Sequence, residues 1–127
     1  MEKNENYSLG LLYLIYLLIN SDTEISEKEL NYLSRIRETE GISKDVFTHF
    51  HKSIIGKSES EIYHNGINYI NDCTHDFKLR AFIRLYQMAQ ADGIMHVKEV
   101  RLLLYAVKMT HVDINAVIAI ANQEILV

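Results

Sequence analysis

The sequence predicts an all-α protein of about seven helices, and three observations carry that prediction. Apolar residues recur at three- and four-residue spacing along most of the chain, as helices with one buried face require. No proline occurs in 127 residues; helix interiors exclude proline, whereas loops and sheet edges use it. Ser or Asp residues stand just ahead of several apolar runs, where a helix needs its first amides capped.

The first helix is expected from about Tyr7 to Ile19. Its "LGLLYLIYLLI" is apolar on nearly every face, which suits a helix wrapped by others. The run falls well short of the ~20 residues that span a bilayer. Its flanks, "MEKNEN" and "NSDTE", lack the basic start and small-residue cleavage site of a secretion signal. A second helix opens at "SEKEL" with Ser26 and Glu29 as a capping box, turns Leu30, Leu33 and Ile36 inward, and stops at Gly41. Ser43 caps a short third helix with Val46, Phe47 and Phe50 on one side. "KSIIGK" reads as a loop. Ser58 and Glu61 repeat the capping box, and their helix buries Ile62, Tyr69, Ile70 and Cys73. The fifth helix is expected from about Lys78 to Ala91, with Leu79, Phe82, Ile83, Tyr86 and Ala89 at helical spacing. After the turn at Asp92 and Gly93, Val97, Val100, Leu103, Leu104 and Val107 form the next inward stripe. Asp113 caps the last helix, which buries Ile114, Val117, Ile118 and Ala121; the cap favours helix over strand for "AVIAIA".

Residues 1–127 are expected to form one domain, large enough for a core without staples. A net charge of −4 lacks the basic surface that phosphate demands, so nucleic acid is excluded as a partner. The single cysteine rules out an internal disulfide and fits a cytoplasmic setting.

Sliding the chain on itself by 70 residues reveals an internal repeat. Tyr16 falls on Tyr86, Asp22 on Asp92, Lys28 on Lys98, Glu29 on Glu99 and Leu33 on Leu103. Ile42 and Ser43 fall on Val112 and Asp113, which aligns two helix caps; Phe47 and Phe50 fall on Val117 and Ile120. The expected architecture is therefore two helix–turn–helix–short-helix units, about 9–52 and 78–124, joined by a linker helix at about 58–73.

The repeat brings two acidic turns into register, "INSDTEISEKEL" and "QADGIMHVKEV", both of the form D-x-x-[IM]-x-x-x-E. An all-helical chain with two such turns resembles the tellurite-resistance TerB-like family, from roughly Leu12 to Ile120. The resemblance implies a seven-helix fold with pseudo-two-fold character and an acidic surface around the paired turns. It also implies divalent-cation binding within a bacterial stress or tellurite-resistance system. The chain departs from the pattern at Thr23, where the second turn has Gly93, and at His96, where the first has Ser26.

Read as chemistry, Asp22, Glu29, Asp92 and Glu99 are the candidate oxygen ligands for Ca²⁺, Mg²⁺ or Mn²⁺. His96 could add a nitrogen ligand that tilts the site toward Zn²⁺ or Mn²⁺. Converging carboxylates repel one another and either bind a cation or take up a proton. No EF-hand is present, because the twelfth position counted from Asp92 is Leu103. The competing explanation is turn chemistry: each Asp accepts turn amides, and each Glu closes a cap, worth only ~1 kcal/mol.

Other candidates are weaker. His49 and His51 stand two apart and point to different helix faces; His64 and His111 read as surface or helix-end residues. "DCTHD" crowds Cys73, His75 and two acids together, but at an expected helix end, where polar residues gather. No phosphate loop, dinucleotide fingerprint, zinc-protease or serine-hydrolase motif occurs. The expected function is thus a non-catalytic module that binds a divalent cation weakly, presents its acids to a protein partner, or both. The alternatives are a metal-independent interaction or homodimerisation domain acting through an exposed apolar helix face, and, ranked last, a metal-dependent hydrolase.

Overall fold

The computed structural model describes residues 2–19, 27–90 and 97–123. Among them the chain forms seven helices and no strand. These are α1 (Glu2–Ile19), α2 (Glu27–Thr39), α3 (Lys44–Ser53), α4 (Glu59–Asn71), α5 (His75–Ala89), α6 (Val97–Thr110) and α7 (Ile114–Gln123). The all-α class expected from periodicity and capping is the one observed.

Local chemistry accounts for most of the boundaries. Ser43 Oγ accepts the Val46 amide at 3.1 Å to start α3. Ser58 and Glu61 form the reciprocal capping box at the start of α4. Asp113 accepts the Asn115 amide at 3.0 Å to start α7. Ser26, the expected cap of α2, lies outside the described residues.

Two boundaries differ from expectation. α1 begins at Glu2 rather than near Tyr7. α5 begins at His75 rather than near Lys78, because Thr74 Oγ1 accepts the Phe77 amide at 3.4 Å. "DCTHD" is therefore the junction of two helices, with Cys73 closing one and Thr74 opening the next.

The ends of α2 and α6 are the same motif one repeat apart. Ile42 N–H donates to Arg37 O at 3.0 Å, and Val112 N–H to Val107 O at 2.9 Å. The intervening residues are left-handed, Gly41 at φ 63° and His111 at φ 59°. Such an end turns the chain sharply and drives an apolar residue back onto the helix; Ile42 and Val112 are both buried. α3 (Lys44–Ser53) and α7 (Ile114–Gln123) then coincide in extent at the 70-residue offset.

Tertiary packing crosses between the halves. α3 packs on α1 and α7 on α5, while α2 reaches across to α5 and α6 to α1. α4 packs against α1, α5 and α6. The centre is α1, whose Leu11, Leu12, Leu14, Ile15 and Leu18 are all but fully buried. The first helix is wrapped as its all-round apolarity predicts.

The stripe expected on α6 is only partly right. Leu103 and Val107 face the core with Ala106, Thr110 and Glu99, and Val100 is half-buried, but Val97 and Leu104 are exposed. The apolar residues of α6 lie on two sides of the helix, and only one side has a neighbour to bury it. In α2, Ile36 is buried; the side chains of Leu30 and Leu33 lie outside the described set.

α1 and α4 approach so closely that side chains are omitted where they cross. A Cβ at Gly10 would stand 2.8 Å from Ile70 Cγ1 and 3.1 Å from Tyr69 Cβ. One at Gly66 would stand 3.1 Å from Tyr13 Cβ. Alanine is the better helix former by ~1 kcal/mol, but overpacking a filled core costs about 1–3 kcal/mol. Overpacking should win at Gly10, because Ile70 is fully buried and has nowhere to move. Gly10→Ala is expected to lower the unfolding free energy by about 1–2 kcal/mol in urea titration, more than Gly66→Ala.

Candidate functional site

Of the five residues proposed to hold a cation, Asp22, Asp92 and His96 lie outside the described residues. Glu29 lies in the first turn of α2, with its side chain likewise outside the described set. Glu99 alone is placed. It sits in the first turn of α6 and is 2% exposed. Among the described residues, no three His, Cys, Asp or Glu side chains gather closely enough to hold a metal ion. The convergence of the two acidic turns therefore remains an expectation from their register.

A second polar cluster, not anticipated from the sequence, is buried where α2 meets α5. Glu40, the residue after α2, keeps only 2% of its side chain exposed. Its carboxylate accepts the Arg84 Nε–H at 2.7 Å and the Arg80 Nε–H at 2.9 Å. Arg84 also donates to Gln87 Oε1 at 3.1 Å. The Tyr7 hydroxyl is buried beside Glu40 without a well-formed hydrogen bond among the described residues. Burial first, and the Glu40 charge second, push its ionisation above the ordinary phenol range. The cluster sets one carboxylate between two guanidiniums, with both of its oxygens engaged, which suits a structural latch better than a reaction centre. The signal was present, since Arg80 and Arg84 interrupt an apolar helix face four residues apart.

The third feature is the outer side of α6. Val97 is 67% exposed, Leu104 50%, Tyr105 63% and Met109 56%. Lys98, Arg101 and Lys108 are exposed among them. A groove beside this face, between α6 and α4, is lined by Leu17, Tyr63 and Leu102, with Lys98 and Arg101 on one edge and Glu59 on the other. Helical spacing puts positions 97, 101, 104 and 108 on one stripe, with 98, 105 and 109 beside it. The surface is thus apolar and basic, with no acid of α6 on it.

Among the described residues, the remaining titratable groups do not gather into a cluster. His49 and His51 are both exposed on α3. Cys73 is buried, and its thiol points at Tyr69 O at 3.5 Å. Burial, with help from the Asp72 charge, raises its ionisation, the reverse of what a nucleophilic thiolate needs. Tyr13 packs between Phe50 and Tyr69, with its hydroxyl 2.6 Å from Ser53 Oγ.

Comparison with known proteins finds no matching family model, no similar curated protein and no similar solved structure. No single helix among the described residues is long and apolar enough to cross a membrane.

Removing one partner of a buried ion pair strands the other, at about 3–5 kcal/mol, whereas a half-exposed pair contributes ~1 kcal/mol or less. Glu40→Ala should therefore destabilise the protein by roughly 3 kcal/mol. Arg80→Ala, whose side chain is 47% exposed, should cost under ~1 kcal/mol. Equal losses in denaturant titration would contradict the division of labour between the two arginines.

Proposed function

We propose that this chain is a non-catalytic helical module that works by binding another protein, with the outer side of α6 as its contact surface. The observation that carries the reading is the set of four large apolar side chains exposed on one helix. An isolated exposed apolar residue is ordinary, but a contiguous apolar patch rimmed by charge marks an interaction site. The repeat supplies an internal comparison. At the matching positions α2 carries Glu27, Lys28, Asn31, Ser34, Arg35, Glu38 and Thr39, every one of them polar. The fold itself therefore does not call for apolar residues there.

The reading is tested by placing a photo-crosslinking residue at position 105 and, separately, at position 35, in cells that make the protein. Position 105 is expected to give a discrete crosslinked product, absent from position 35 and lost on adding Leu104→Asp. Identical patterns from both positions would defeat the reading.

A second role is proposed for the acidic turns, as a weak divalent-cation site in the manner that the TerB-like resemblance implies. What favours it is Glu99, a carboxylate buried in the first turn after the Asp92 segment. A cation at a hundred times its dissociation constant should add ~2.7 kcal/mol to stability. Chelator-stripped protein is therefore expected to melt higher with one of Ca²⁺, Mg²⁺, Mn²⁺ or Zn²⁺, and Asp22→Asn/Asp92→Asn should abolish the gain. No shift with any ion returns both turns to capping chemistry.

A further inference from the structure

We propose that the partner seated on α6 is an acidic amphipathic helix, an inference that rests on the interaction reading above and narrows it to one class of ligand. The argument begins with charge. The exposed side of α6 presents Lys98, Arg101 and Lys108, while its one acid, Glu99, faces the core. A chain of net charge −4 has thus placed three cations among its exposed apolar side chains. Charges at an interface steer association and set partner choice more than they add affinity. These cations select an anionic ligand.

Shape and symmetry narrow the choice. A second copy of the chain fits poorly. Two α6 helices paired antiparallel about Leu104 and Tyr105 would set Arg101 of each copy beside Lys108 of the other. Like charges so placed are repulsive. Pairing α6 with the matching face of α2 would lay an apolar stripe on a polar one.

An anionic membrane would satisfy the cations but would leave the groove beside α6 unused. That groove offers an apolar floor of Leu17, Tyr63 and Leu102, with bases on the α6 edge and Glu59 on the α4 edge. A helix lying along it, with apolar residues at i, i+3 or i+4 and i+7, would fill the floor and cover Tyr105 and Met109, which share the Leu102 side of α6. Acids on the side facing α6, and a neutral or basic residue opposite Glu59, would fix its direction. The ligand is therefore acidic on one flank only.

The test is a displayed library of amphipathic helical peptides, with a fixed apolar stripe and flanks free to be acidic, basic or neutral, selected on the intact protein. Selected peptides should carry acids along one flank and bind more weakly as salt is raised. Affinity should fall at least roughly tenfold for Tyr105→Asp and for Arg101→Glu/Lys108→Glu. Peptides with lysine in place of the acids should bind Arg101→Glu/Lys108→Glu better than the parent protein. All these positions are exposed, so the variants should melt like the parent; Tyr105→Ser replaces Tyr105→Asp if that variant does not. Peptides that depend on Tyr105 but carry neutral or basic flanks overturn the acidic class while leaving the interaction module intact. An absence of any peptide dependent on Tyr105 overturns both. A concentration-dependent dimer, or binding to phosphatidylglycerol vesicles, that is lost in Tyr105→Asp in place of peptide binding would give the face to a second copy or to a membrane, and the proposal fails.

Discussion

Burying α1 on every side is the constraint from which the other packing relationships descend. An amphipathic helix needs one neighbour, but a helix that is apolar all round must be surrounded. α3, α4, α5 and α6 all pack against it. The approach of α4 is the tightest, and it is possible only because Gly10 and Gly66 remove the side chains where the two helices meet. The resulting van der Waals contact replaces the hydrophobic area that the glycines forgo. The tilted ring contacts of Tyr13 with Phe50 and Tyr69 then join α3 and α4 to the same helix.

Around that axis the two halves of the repeat solve one local problem in two ways. Position 40 directly follows α2 and its repeat partner, position 110, closes α6, and both side chains are buried. Thr110 satisfies its hydroxyl on Ala106 O at 2.7 Å, within its own helix. Glu40 has no such local solution and draws Arg80 and Arg84 from the other half. In the first half the positions matching those arginines are Gly10 and Leu14, which pack against α4 instead. One half of the repeat thus spends these helix positions on close apolar packing, and the other on a buried ion pair. A buried pair contributes less to net stability than apolar packing, but it penalises misdocking strongly. It fixes how α2 seats on α5.

Function, on this reading, lies where the repeat has diverged on its surface and not where it has stayed alike. The acidic turns are the positions the halves share, and capping explains shared positions as readily as metal binding does. Apart from the shared Lys28 and Lys98, the outer faces of α2 and α6 differ, although they sit on equivalent helices. A polar face on one and an apolar, basic face on the other is a difference that neither folding nor solubility requires.

The amino-acid order by itself determined the helices, because periodicity and capping are local. Ser43, Ser58 and Asp113 cap within three residues along the chain, and Gly41 turns left-handed for want of a Cβ. The repeat was legible for the same reason, down to the shared limits of α3 and α7. Thr74 escaped notice because an acid-rich helix end and a helix start have similar composition. Of the candidate site, only the acids of the two turns could be read from order, and of these the structure places Glu99. Tertiary structure alone decided which apolar residues of α6 found a neighbour. Leu103 and Leu104 are adjacent and chemically identical, yet one is buried and the other half open to water. Likewise Glu40 and Arg84 lie far apart in sequence and meet only because α2 crosses to α5. Spacing along a helix says which residues share a face; only docking against other helices says which face is covered.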